Sequence, residues 1–106
     1  MTTVEQRIVL ETKLVELKQR LAHVRKDVTK PLSSDFSEQA TERENDEVLE
    51  EIARETQMSI QEIRLALKRL EGDRYGRCRA CESAIEEKRL AILPGTSLCA
   101  ECAENP

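Results

Sequence analysis

Leucines and valines recur at helical spacing over the first quarter of the chain. Leu10, Leu14, Leu17, Leu21, Val24 and Val28 are separated by steps of 4, 3, 4, 3 and 4, which sets them along one seam of an α-helix for nearly three heptads. The pattern predicts a first helix from about Val4 to Lys30. Pro31 cannot donate a helical N–H and pushes Lys30 out of the α region, and Ser33 and Ser34 follow, so the chain turns within a few residues. A second helix is expected to start near Phe36. Ser34 or Asp35 would cap it, with Glu38 three residues beyond Asp35 in a capping-box arrangement. Its inner face reads Leu49, Ile52, Thr56, Ser59 or Ile60, Ile63, Ala66 or Leu67, and Leu70, and Gly72 is expected to end it as the C′ residue. Two long helices joined by so short a turn are antiparallel neighbours, and their seams predict a coiled-coil hairpin within one chain.

The cysteines add a second part. All four lie in the last quarter, as Cys78-x2-Cys81 and Cys99-x2-Cys102 with seventeen residues between the pairs. Two such turns bring four soft thiolates to one point, which is the closed ligand set of a single structural Zn²⁺ with no position left for substrate. An iron centre of rubredoxin or iron–sulfur type would draw on the same residues. Disulfides would need an oxidising compartment, and Met1-Thr2-Thr3-Val4-Glu5-Gln6-Arg7 has no basic stretch leading into an apolar one that would direct export. A thioredoxin-like dithiol would need one C-x-x-C opening a helix after a strand, not a duplicated pair after a helical pattern. The predicted fold class is therefore mainly α, an antiparallel coiled-coil hairpin over residues 1–72 followed by a small C4 zinc module over 73–106. With one Phe, one Tyr and no Trp in 106 residues, bulky apolar surface is too scarce for a large core, and the metal is expected to hold the C-terminal part together.

Charge is distributed unevenly. From Asp35 to Glu55 there are nine acidic residues against Arg43 and Arg54, whereas Arg64, Lys68, Arg69, Arg74, Arg77 and Arg79 face only Glu71 and Asp73 between Arg64 and Arg79. The net charge of −4 argues against generic phosphate neutralisation, and no recognition-helix signature is present, so sequence-specific DNA binding is not expected. No apolar run is long enough to span a bilayer. His23 falls between seam positions Leu21 and Val24 and reads as a solvated histidine. No Ser/His/Asp or glycine-rich phosphate constellation is visible, so the chain is not expected to be an enzyme and has no candidate catalytic residue.

Tyr75-Gly76-Arg77-Cys78-Arg79-Ala80-Cys81, then Ile85, Arg89-Leu90-Ala91, Pro94 and Leu98-Cys99-Ala100-Glu101-Cys102, resembles the zinc module of the DksA/TraR family. The order of features agrees, because a hairpin precedes the module. Its turn carries Asp35-Phe36-Ser37-Glu38-Gln39-Ala40, similar to the family's tip motif Asp-x-x-Asp-x-Ala. Family members bind bacterial RNA polymerase directly, insert the hairpin into the secondary channel and alter open-complex stability. The resemblance implies a cytoplasmic, monomeric transcription regulator with Asp35, Glu38 and Ala40 as its polymerase-modulating tip near residues 31–40. An acidic distal arm suits a basic channel, since complementary potentials steer docking. The basic stretch offers Arg64, Lys68, Arg69, Arg74 and Arg89 as docking candidates.

Three positions depart from the family pattern. Glu38 replaces an aspartate and reaches one methylene further. Leu93 stands where alarmone-responsive members carry a basic residue toward guanosine tetraphosphate, and Glu82 replaces a glycine common after the second cysteine. Two other readings compete. Paired acids at a hairpin tip also occur in Gre-type transcript-cleavage factors, where they help hold a catalytic Mg²⁺, although those factors lack the C4 module. A zinc-stabilised adaptor or DNA-binding finger would act through Arg64 to Arg79 rather than through the tip.

Overall fold

The computed structural model describes residues 2–28 and 36–105, with side chains described for 2–26 and 46–105. Among the described residues four helices follow one another: α1 (Thr3–Val28), α2 (Phe36–Glu71), α3 (Glu87–Ile92) and α4 (Ala100–Glu104). The first two match the expected long helices. The short α3 and α4 were not foreseen, since five or six residues are too few to display a 3.6-residue period.

α1 begins one residue before the expected start because Thr2 caps it. The Thr2 hydroxyl accepts the Glu5 N–H at 3.2 Å and the Thr2 carbonyl accepts the Gln6 N–H at 3.0 Å. Thr2-x-x-Glu5 is a capping-box sequence that the hydrophobic period alone does not reveal. The other end of the hairpin, including the expected caps Ser34 and Asp35, lies outside the described residues.

α2 ends differently from the expectation. Gly72 sits at the C-cap, and the left-handed residue that follows the helix is Asp73, with φ 56°. The Arg74 N–H reaches the Arg69 carbonyl at 2.7 Å and the Asp73 N–H the Leu70 carbonyl at 3.3 Å, the paired bonds of a Schellman motif with Asp73 as C′. Aspartate tolerates this conformation better than most residues with a Cβ.

The chain groups into two compact units, one formed by Met1–Leu14 with Gln61–Pro106 and the other by Val15–Ile60. Each unit takes one part of α1 and one of α2, and the start of α1 is grouped with the end of α2, so the helices run antiparallel. In the Val15–Ile60 unit the buried side chains among the described residues are Leu17, Val24, Thr56 and Ile60, and Arg25 donates to the Gln57 side chain across the helix pair at 3.3 Å. Thr56 is the one polar member among these. Its hydroxyl donates to the Ile52 carbonyl at 2.7 Å, so burial leaves no unmet hydrogen bond.

In the other unit Leu10, Ile63, Ala66 and Leu70 from the long helices are buried together with Cys78 and Ile85 from the C-terminal segment. The loop between the cysteine pairs is seated on α2. Leu93, Pro94, Gly95 and Thr96 form a turn closed by the Thr96 N–H on the Leu93 carbonyl at 3.0 Å. Arg69 donates to the carbonyls of Gly95 and Thr96 at 3.4 and 3.3 Å, and the Tyr75 hydroxyl donates to the Pro94 carbonyl at 2.8 Å. Burial raises the Tyr75 phenol above its ordinary pKa, with the Arg69 guanidinium opposing the shift, so Tyr75 stays a donor at neutral pH.

Glycine is required at position 95 for space. A Cβ there would meet Ile63 Cδ1 at 3.2 Å, Glu62 Cβ at 3.3 Å and the Glu62 backbone carbon at 3.4 Å. Gly95→Val is expected to lift the turn off α2 and to cost about 2 kcal/mol, in the range for overpacking a fitted contact. Denaturant unfolding checks it, and an unchanged midpoint would show that the turn can shift freely.

Candidate metal centre

The first cysteine pair sits on a backbone knuckle. The Cys78 N–H donates to the Ser83 carbonyl at 2.8 Å and the Cys78 carbonyl accepts the Glu82 N–H at 2.9 Å. An isolated antiparallel bridge between Arg77 and Ala84 closes the loop behind them. The second pair opens α4, with Cys99 as its N-cap. The Cys99 sulfur accepts the Cys102 N–H at 3.5 Å, so the cap and the metal-binding turn are the same structure. One backbone bond ties the knuckles together, from the Arg79 N–H to the Ser97 carbonyl at 2.9 Å.

These two turns bring the four sulfurs within 4.8 Å of one another, and among the described residues this is the group of Cys, His, Asp or Glu side chains able to hold a metal. The Cys81 and Cys99 sulfurs are 3.7 Å apart. A tetrahedron with Zn–S bonds of about 2.3 Å has edges of about 3.8 Å, so the donor set has the size zinc needs. All four cysteines are free thiols rather than disulfides.

Their proton affinities diverge, as expected for crowded thiols. Backbone N–H groups of Cys81 and Cys99, opposed by burial, bring the Cys78 thiol down to about 6. The Ser83 hydroxyl and N–H lower Cys81. Cys102 is pushed up to about 12, chiefly by its sulfur neighbours Cys99, Cys78 and Cys81. Four thiolates at this spacing therefore need a cation among them, and a dipositive ion supplies it.

Glu82 explains its own oddity. It lies in the left-handed region with φ 64°, immediately after the second thiolate, where glycine would be unstrained. Glu82→Gly is expected to stabilise the zinc-bound protein by about 1 kcal/mol, while Glu82→Val lowers stability by at least as much. Thermal unfolding of the zinc-loaded forms separates the two signs.

The other sequence candidates fall into different settings. Arg64, Lys68 and Arg74 are exposed, whereas Arg69 and Arg89 are half-buried. Arg69 holds the Gly95 turn, and Arg89 donates through Nε to the Leu98 carbonyl at 3.0 Å, one residue before Cys99. These two guanidiniums position the second knuckle, a role that charge counting missed. Asp35 lies outside the described residues, and Glu38 and Ala40 are described only as backbone within α2. His23 is exposed. No helix among the described residues is long and apolar enough to cross a membrane.

Two long helices followed by a closed four-thiolate centre define a C4 zinc-finger protein with one structural zinc. Residues 6–70 match the DnaK suppressor protein-like N-terminal domain of the DksA-like family, and residues 73–105 match the prokaryotic dksA/traR C4-type zinc finger. The chain belongs to the DksA-like family. It is similar to the solved structure of transcription factor DksA2 from Pseudomonas aeruginosa, with a TM-score of 0.83 and 25% identity, covering 97% of this chain and 81% of that one. The solution structure of DnaK suppressor protein from Agrobacterium tumefaciens C58 is 34% identical with a TM-score of 0.66, over 100% and 95% of the two chains. A curated relative, described as an uncharacterized protein of Aquifex aeolicus (strain VF5), is 37% identical over 60 residues, and the match spans 57% of this chain and 41% of that protein.

Proposed function

We propose that this protein is a DksA-type transcription factor that binds bacterial RNA polymerase directly and places its hairpin turn in the secondary channel to modulate initiation. The observation that carries the reading is the joint match of both family profiles, over residues 6–70 and 73–105. Residues 1–72 then present Asp35, Glu38 and Ala40 at the tip, and residues 73–106 form the finger that secures the base. The protein acts in the cytoplasm as a monomer, by binding and not by catalysis. Exposed Arg64, Lys68 and Arg74 are the docking cations of this reading. Leu93 stands where alarmone-responsive members carry a cation, so a weakened response to guanosine tetraphosphate is expected.

Purified protein added to RNA polymerase tests the reading through binding and open-complex lifetime. Asp35→Asn is expected to keep binding within about threefold while removing most of the change in lifetime, because a charge-assisted contact made only inside the channel is lost. Arg64→Glu with Lys68→Glu is expected to weaken binding by tenfold or more, roughly 1.4 kcal/mol. Arg69→Glu is unsuitable, since it would also release the Gly95 turn. Absence of binding at micromolar protein would overturn the proposal. RNA cleavage in stalled complexes that disappears with Asp35→Asn and Glu38→Gln would move the assignment to a transcript-cleavage factor.

A further inference from the structure

The sulfur cluster is closed on one side and open on another. Cys78 is 1% exposed, while Cys81 is exposed and Cys99 and Cys102 are intermediate. A cavity of about 520 Å³ is lined by Cys81 and Cys99 but not by Cys78 or Cys102. Ser83, Ala84 and Ala100 form part of its wall, and its charges are mixed, with Lys88 and Arg89 against Glu86 and Glu101. That volume is in the range of roughly 300–1,000 Å³ that admits small organic ligands. The cavity therefore leads a small molecule to the Cys81–Cys99 edge, whose sulfurs are 3.7 Å apart.

Zinc has no d-electron preference for geometry and passes through five-coordinate states, so a ligand that reaches the metal can add before another leaves. The Cys81–Cys99 edge borders the cavity, and the buried Cys78 does not. Hydrogen bonds reach both the Cys78 and the Cys81 sulfur, and enclosure separates the two, since Cys78 is buried and Cys81 exposed.

We infer that zinc is taken up and surrendered through this cavity, across the Cys81–Cys99 edge, by direct attack of a small chelating donor that displaces Cys81 first. In the transfer a donor atom of the acceptor bonds to zinc as the bond from zinc to Cys81 Sγ breaks, and the electron pair stays on the released Cys81 thiolate. Neither zinc nor sulfur changes oxidation state. Cys78 is the anchor that lets go last. The inference concerns the metal and the finger alone, and stands independently of polymerase binding.

The zinc-loaded full chain, mixed with the chromogenic chelator 4-(2-pyridylazo)resorcinol, tests it through the rate of zinc transfer. For the unaltered protein the rate is expected to rise in proportion to chelator concentration. Ala100→Trp narrows the cavity beside Cys99 and is expected to slow transfer by about tenfold, with zinc stoichiometry unchanged. Ala103→Trp is the matched control, since Ala103 follows Cys102 as Ala100 follows Cys99 but does not line the cavity. It should leave the rate within about twofold. If Ala100→Trp fails to load zinc, Ala84→Phe, at another lining position, narrows the cavity instead. Alkylation with iodoacetamide during transfer, mapped by mass spectrometry, is expected to mark Cys81 first. A rate independent of chelator concentration, equal slowing by both tryptophans, or first labelling at Cys78 or Cys102 would overturn the inference.

Discussion

Cys78→Ser is expected to leave the protein without bound zinc at neutral pH and to unfold the segment from 73 to 105. The residue joins three supports in one place. Its backbone closes the knuckle through Ser83 and Glu82, its side chain is 1% exposed in the core shared with Ile63, Ala66, Leu70 and Ile85, and its sulfur is one of four ligands. Structural zinc contributes about 10–16 kcal/mol to small finger peptides, far more than the few apolar side chains of this segment can supply by burial. A serine hydroxyl is a poor substitute for a thiolate toward zinc.

Two measurements check this expectation: zinc content after dialysis, and amide hydrogen exchange. The N–H groups of Cys78, Arg79, Glu82 and Ile85, which close the knuckles, should lose protection. Amides in the helices of the Val15–Ile60 unit, which contains no part of the finger, should keep theirs. Stripping zinc from the unaltered protein with a chelator should give the same exchange pattern. Retained protection of those four amides without metal would show that the segment folds on its own contacts.

Legibility in the sequence followed the range of the interaction. The seam was readable because a 3.6-residue period is local, and Leu10, Leu17, Val24, Ile60, Ile63 and Leu70 are indeed buried. Leu14 and Leu21, half-buried, show that alternate seam positions are not equally enclosed. The metal ligands were readable because two C-x-x-C turns impose the chemistry themselves. Arg69 and Arg89 were not, since each serves carbonyls on a loop 26 and 9 residues further on, and nothing local separates an arginine that turns inward from one that stays in solvent. The place of Asp73 in the left-handed region escaped because neighbouring Gly72 carries the stronger statistical signal for C′. The proposal of Asp35, Glu38 and Ala40 as a tip rests on family resemblance alone, as the local physics of these residues asks only for a helix cap.

Leu10→Ala is expected to be the most destabilising substitution in the two long helices. Leu10 is 0% exposed and belongs to the unit that also contains the finger. Truncating a fully enclosed leucine removes its transfer energy and leaves a cavity that neighbouring backbone cannot fill, a cost of about 3 kcal/mol. For a chain of this size that lowers the melting temperature by on the order of 15 °C. Val9→Ala supplies the comparison one residue away, because Val9 is 40% exposed and its truncation should cost only a few tenths of a kcal/mol. Leu17→Ala, at 8% exposure in the other unit, should destabilise the protein while leaving the finger amides protected below the global transition. Leu10→Ala should weaken both, since Ile63, buried in the same unit, also lies against the turn at Gly95. Equal finger protection in the two leucine variants would mean that the finger does not depend on the start of α1.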